Sequence, residues 1–169
     1  MKPQSSLRPY AILALAWLAF AAYVWWSSAQ LPERVATHFG ANGTPNGWQT
    51  QAGYLRFTLI FGTVVPGFVL GTFMLIRQLN GWGLNIPHKD YWLAPDRRQE
   101  TMDFVQRRGV WMAGLMLAFL TSVHYSILVA NAQTHVSLPP AFFILIGAFV
   151  VATLVWSVTL IRHFYRKPA

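Results

Sequence analysis

The sequence predicts an all-α integral membrane protein, a four-transmembrane-helix bundle with a short ordered extracytoplasmic loop and a cytoplasmic juxtamembrane helix. Three observations carry this prediction. Charged residues make up 11% of the 169-residue chain, against about 25% in an ordinary soluble domain. Four long runs contain no Asp, Glu, Lys or Arg. The basic residues gather in alternate segments between those runs.

The runs place spans at about residues 10–29, 57–76, 109–130 and 141–161, in one membrane domain covering residues 1–169. A helix rises about 1.5 Å per residue, so ~20 residues match a hydrocarbon core of about 30 Å. Lipid offers no partner for free backbone groups, so helices are the natural spanning form. A barrel would need alternating polar and apolar residues, and these runs are apolar on every face. The first run has 17 apolar residues from Tyr10 to Trp26, longer than the usual signal-peptide core of about 7–15. Bulky Tyr23, Trp25 and Trp26 precede Ser27-Ser28-Ala29 and suit an interfacial belt. The first span is therefore expected to be retained.

Orientation follows from Lys and Arg. Lys2 and Arg8 precede the first span, and Arg77, Lys89, Arg97, Arg98, Arg107 and Arg108 lie in the inner loop at 77–108. Arg162, Arg166 and Lys167 follow the fourth span, whereas the outer loop at 30–55 and its edge hold only Arg34 and Arg56. Both termini are thus expected in the cytoplasm. This topology accounts for the net charge of +8 and makes the lipid bilayer, with no nucleic acid, the expected partner. The absence of cysteine excludes disulfides and thiol chemistry.

Small residues suggest how the spans pack. Gly67 and Gly71 form a Gly-x-x-x-Gly pattern, with looser versions at Gly114/Ala118 and Ala148/Ala152. Such spacing lets backbones approach closely, within one bundle or in a homodimer. Pro66 removes a backbone donor in the middle of the second span, and Pro139-Pro140 opens the fourth.

The outer loop is rich in turn residues. Pro32 sets an extended start, and Asn42-Gly43 and Asn46-Gly47 are strong turn dipeptides. A short hairpin across Asn42-Gly43 and an apolar cluster of Val35, Phe39 and Trp48 are expected. Two readings stay open, an ordered cap on the bundle or a recognition surface.

In the inner loop, Trp82, Tyr91 and Trp92 suit the inner interface. From Pro95 the pattern turns helical and is expected to run into the third span, with Gly109 as a possible bend. Asp103 and Arg107 have the spacing of a favourable i, i+4 pair. The segment fits a solvated juxtamembrane helix or a docking site for a partner on Arg97, Arg98, Asp103 and Arg107.

No catalytic or metal-ligating set is recognisable. His38, His124 and His135 lack ligand-like spacing, and Glu33 is the outer loop's one carboxylate. No catalytic residue, metal, cofactor or enzymatic activity is expected. His124 is the ionisable residue within a span, where such groups are functional candidates. It fits an interhelical hydrogen bond or a proton relay.

The outer segment Leu31-Pro32-x-x-Val35-x-x-His38-Phe39-Gly40-x-x-Gly43-x-Pro45-x-Gly47-Trp48 resembles the signature of a bacterial membrane domain of unknown function. That domain is related to the N-terminal part of SdpI-like proteins, which give immunity to the sporulation-delay toxin. Asn85-x-Pro87-x-x-x-Tyr91-Trp92-Leu93-x-Pro95-x-Arg97-Arg98 is similar to a run in stand-alone members. Asn46 stands where Asp is common and Gln51 where Lys is common. The resemblance implies a bacterial cytoplasmic membrane location and an immunity-like binding role. The candidate ligand-binding residues are Leu31, Pro32, His38, Phe39, Gly43, Pro45 and Trp48, and the candidate ligand is an extracytoplasmic peptide or envelope component. The alternative is a structural or accessory subunit of a larger membrane transporter or enzyme complex, with another membrane protein or a second copy as partner.

Overall fold

Four long helices and one β-hairpin make up residues 7–166, which the computed structural model describes. Lys2 and Lys167 lie outside the described residues. Helix α1 (Arg8–Ser28) has Pro9 in its first turn, where a missing N–H costs little. Strands β1 (Arg34–Phe39) and β2 (Pro45–Thr50) pair antiparallel, from Arg34 opposite Thr50 to Phe39 opposite Pro45. The all-α description omits this hairpin. Its turn is built as Asn42-Gly43 suggests. Gly43 has φ +78°, and Asn42 Oδ1 accepts from Thr44 N and Oγ1 at 3.1 and 2.7 Å. A side-chain oxygen bonding two residues ahead replaces a backbone turn bond.

Thr50 ends β2 and caps helix α2 (Gln51–Gln78), its hydroxyl accepting from Gly53 N at 3.1 Å. Helix α2 runs on through Pro66, which leaves the Gly62 carbonyl without its helical donor. It stops in a Schellman turn. Gly81 N donates to Ile76 O and Asn80 N to Arg77 O, with Asn80 left-handed at φ 53°. A single turn, α3 (Lys89–Trp92), follows. Helix α4 (Arg98–Asn131) joins the expected juxtamembrane helix and the third span in one piece of 34 residues, about 51 Å long. Helix α5 (Ala141–Tyr165) completes the chain.

All four long helices are long and apolar enough to cross a membrane, and the chain is a multi-pass membrane protein. Large apolar side chains such as Phe68, Trp111 and Ile144 stand outward on them. A water-soluble surface does not carry so much contiguous apolar area. Helix α4 is the centre of the bundle, with α1 and α2 packed on it. Helix α5 lies alongside α4, stacked through Phe119 and Phe149 at 4.2 Å, and Phe164 is its buried residue.

The close helix approaches fall at glycines other than those of the Gly-x-x-x-Gly pattern. Among the described residues nothing lies within 4 Å of the positions where Gly67 or Gly71 would carry a Cβ. A Cβ on Gly62 would fall 2.3 Å from the Phe20 ring, and one on Gly109 2.4 Å from the Phe73 ring. Gly109, expected as a bend, sits inside continuous α4 and makes room for α2.

Candidate functional site

The end of the bundle that carries the hairpin is built on polar ties to α4. Asn131, the last residue of α4, treats β1 as a neighbouring strand would. Its Oδ1 accepts from Ala36 N at 2.8 Å, and its Nδ2 donates to Ala36 O at 2.9 Å. The same Nδ2 donates to Ile127 O at 2.9 Å. The hairpin tip is held as well, because Leu138 N donates to Gly43 O at 3.0 Å. At the hairpin's base, Gln51 Nε2 donates to Leu31 O at 2.6 Å. Gln51 thus ties down the start of the loop although it is uncharged.

Beneath the hairpin, Leu31, Val35, Tyr54 and Ile127 form a buried cluster against which Phe39 and Leu128 pack. Leu31 and Phe39 therefore work in packing, and Gly43 is buried in the turn against Leu138. Trp48 does not join Val35 and Phe39 as expected. It stands 45% exposed with the Arg34 guanidinium 5.3 Å from its ring centroid, a cation–π arrangement. His38 and Asn46 are also exposed and joined, Nδ1 to Oδ1 at 2.6 Å. Since an amide oxygen only accepts, His38 donates to it from Nδ1. Gly47 lies opposite His38, whose Cβ would sit 2.8 Å from a side chain there. Pro32 is exposed and Pro45 partly so. The outward face is thus Arg34, His38, Asn46 and Trp48, of which the sequence singled out His38 and Trp48.

His124 lies one layer deeper and joins three helices. It is 1% exposed. Ser27 Oγ donates to Tyr23 O at 2.6 Å, so its lone pair accepts from His124 Nε2–H at 2.8 Å. Nδ1 is then the acceptor for the Tyr54 hydroxyl at 2.7 Å. The hydrogen-bond pattern assigns the neutral Nε2–H tautomer. Tyr23 adds an edge contact at 5.3 Å. The interhelical bond is the arrangement observed, with Ser27 of α1 and Tyr54 of α2 as partners. His124→Ala is expected to cost roughly 2–4 kcal/mol through cavity and orphaned hydroxyl. Tyr54→Phe, which loses one bond, should cost about 1 kcal/mol. Unfolding midpoints in detergent read both, and unchanged midpoints would refute the structural role.

His38, His124 and His135 are not brought together, and among the described residues no group of three His, Asp or Glu could hold a metal.

At the opposite end, the candidate docking residues are largely committed. Asp103 is buried and bonded to Arg77 of α2, whose Nη1 also donates to Gln106 Oε1 at 2.6 Å. The expected Asp103–Arg107 pair is absent among the described ion pairs, and Arg107 stands exposed. Arg98 Nε donates to Leu93 O at 3.1 Å. Arg97 meets Asp96 at 3.1 Å and lies 4.4 Å from the Tyr91 ring centroid. Trp92 fastens the loop to α5 by donating from Nε1 to Phe164 O at 3.0 Å. The Tyr91-Trp92-Leu93 run is therefore accounted for by packing.

Fold and site define a multi-pass membrane protein whose first two spans are bridged by a tethered β-hairpin. Residues 11–62 match a family described as a domain of unknown function, DUF1648. The match covers α1, the hairpin and the start of α2. Neither a curated protein nor a solved structure matches the chain.

Proposed function

We propose that this chain is a non-enzymatic protein of the bacterial cytoplasmic membrane that recognises an extracytoplasmic peptide or envelope component through residues 31–48. The hairpin lies outside and both termini lie in the cytoplasm. This orientation is supported by the charges, since Arg8, Arg77, Lys89, Arg97, Arg98, Arg107, Arg108, Arg162 and Arg166 all lie away from the hairpin. Kinship with the N-terminal part of SdpI-like immunity proteins belongs to the same reading and rests on the Leu31–Trp48 signature.

The observation that carries the proposal is a rigidly tethered hairpin with a polar and aromatic free face. Asn131, Leu138 and Gln51 hold the backbone, while Arg34, His38, Asn46 and Trp48 remain available outside. Rigid presentation lowers the ordering cost of binding, and Trp and Arg are the residue types most often dominant in recognition. The test is a photo-crosslinking amino acid at Trp48 in living cells. A discrete extracytoplasmic adduct is expected, and it should vanish when Arg34, His38 and Asn46 are replaced by Ala. Crosslinks to phospholipid alone, or an adduct indifferent to those substitutions, would refute the proposal.

The second reading is an accessory subunit. Among the described residues nothing lies within 4 Å of where Gly67 or Gly71 would carry a Cβ, which leaves room for another helix and favours it. Purification in mild detergent with another membrane protein at fixed stoichiometry would support this reading, and recovery as a lone chain would count against it.

A further inference from the structure

The other end of the bundle holds a basic groove that the hairpin proposal does not use. Trp92, Arg108, Thr159, Arg162, His163 and Arg166 line a space of about 460 Å³ between the ends of α4 and α5. Three guanidinium groups face one cleft, and none of its described lining residues carries a carboxylate. Among the described residues the ion pairs are Arg77–Asp103 and Arg97–Asp96, and none includes a groove residue. Glu100 acts on His163 electrostatically but does not line the groove.

The walls are fixed before any ligand arrives. Arg108 lies 5.1 Å from the Phe104 ring centroid and donates from Nη1 to Thr159 Oγ1 at 3.4 Å. Its own carbonyl accepts from Trp156 Nε1 at 3.1 Å, which sets the helix spacing there. His163 is held between Phe104 at 3.8 Å and Trp92 at 5.0 Å. Arg162 lies in the last turn of α5, and Arg166 follows the helix end in an extended conformation, and both line the same space. Arg108 is thus held in place by its neighbours, while Arg162 and Arg166 extend the positive charge from the exposed end of α5. The groove lies at the end of two spans beside Trp92, the depth of lipid headgroups.

The geometry points to a phosphate-binding site, taking a phosphoryl group with net negative charge from an anionic lipid headgroup or from a soluble phosphate. Guanidinium forks match phosphate oxygens, and basic pockets between spans bind anionic headgroups. The site is independent of what the hairpin recognises and of which side of the membrane each end faces.

The test uses the purified full chain in dodecylmaltoside and reads lipid retention by native mass spectrometry. In one arm phosphatidylglycerol competes with phosphatidylcholine. In the other, pyrophosphate is added without lipid and read by thermal shift. Preference for phosphatidylglycerol on the order of tenfold is expected, and it should be lost in R162Q/R166Q and in R108Q. The R8Q/K89Q variant removes the same charge as R162Q/R166Q outside the groove and should keep the preference. Arg162 and Arg166 are exposed, so their replacement leaves packing intact, and retained thermal midpoints would verify this. Binding of pyrophosphate with no lipid preference would assign the site to a soluble phosphate. No preference in either arm, or equal loss in R8Q/K89Q, would overturn the site in favour of diffuse surface charge.

Discussion

Asn131→Leu is expected to free the hairpin from α4 at a cost of roughly 2–5 kcal/mol. The substitution leaves Ala36 N–H and C=O without partners, and Ala36 is 1% exposed. An unsatisfied buried backbone group costs about 1–3 kcal/mol, so two such groups set the range. Leu keeps the branching and the number of side-chain heavy atoms of Asn, so little of the effect comes from a cavity. The direct measurement is hydrogen exchange at the Ala36 amide in detergent micelles. Exchange should accelerate by at least a hundredfold, matching about 2.7 kcal/mol. Asn131→Asp separates the two bonds, since its carboxylate still accepts from Ala36 N but no longer donates to Ala36 O. It should fall between wild type and Asn131→Leu in hairpin protection. Unchanged exchange in Asn131→Leu would mean that the Leu138 and Gln51 ties suffice.

Asp103→Leu is the second large effect. It strands the Arg77 guanidinium against α4 with Gln106 as its remaining acceptor. Removing one partner of a buried pair costs roughly 3–5 kcal/mol, because the other charge stays desolvated. Arg77 is 28% exposed at its side chain and Asp103 10%, which places the expectation at the lower end of that range. Arg77→Met combined with Asp103→Leu should recover most of the loss, since apolar replacement of both members is often near neutral. Denaturation by sodium dodecyl sulfate from mixed micelles reads all four members of the cycle. Additive losses in the double variant would show that the two residues do not act as a pair.

The spans were legible because lipid imposes composition directly. Seventeen or more residues without a charge have few alternatives to a helix. The hairpin was legible at its turn, where Asn42-Gly43 states its own geometry. The roles of the loop residues were less so. Leu31, Phe39 and Gly43 were marked by the signature, yet a motif does not distinguish residues that pack from residues that meet a ligand. Arg34 and Asn46 complete the outward face through contacts across the hairpin that no single strand reveals. Asn131 and Ala36 are 95 residues apart, so no local pattern announces their bond. His124 was singled out, but Tyr54 and Ser27 come from other helices. Asp103 had a favourable partner by helical spacing in Arg107, and a buried partner across helices won. The glycines follow the same logic, since Gly62 and Gly109 matter for the rings opposite them, which spacing along one helix does not encode.

Residues 11–62, the stretch matched to the family, do not close on themselves. Leu31, Val35 and Tyr54 pack against Ile127, the Tyr54 hydroxyl meets His124, and the Ala36 peptide meets Asn131. Every one of those complements arrives later in synthesis. At about 5–20 residues per second, the 95 residues from Ala36 to Asn131 take roughly 5–20 s. For that interval the newborn hairpin stands with one edge open. An open strand edge invites pairing with other chains, so the third long helix to emerge from the ribosome acts as the internal chaperone of the first two and of the hairpin between them.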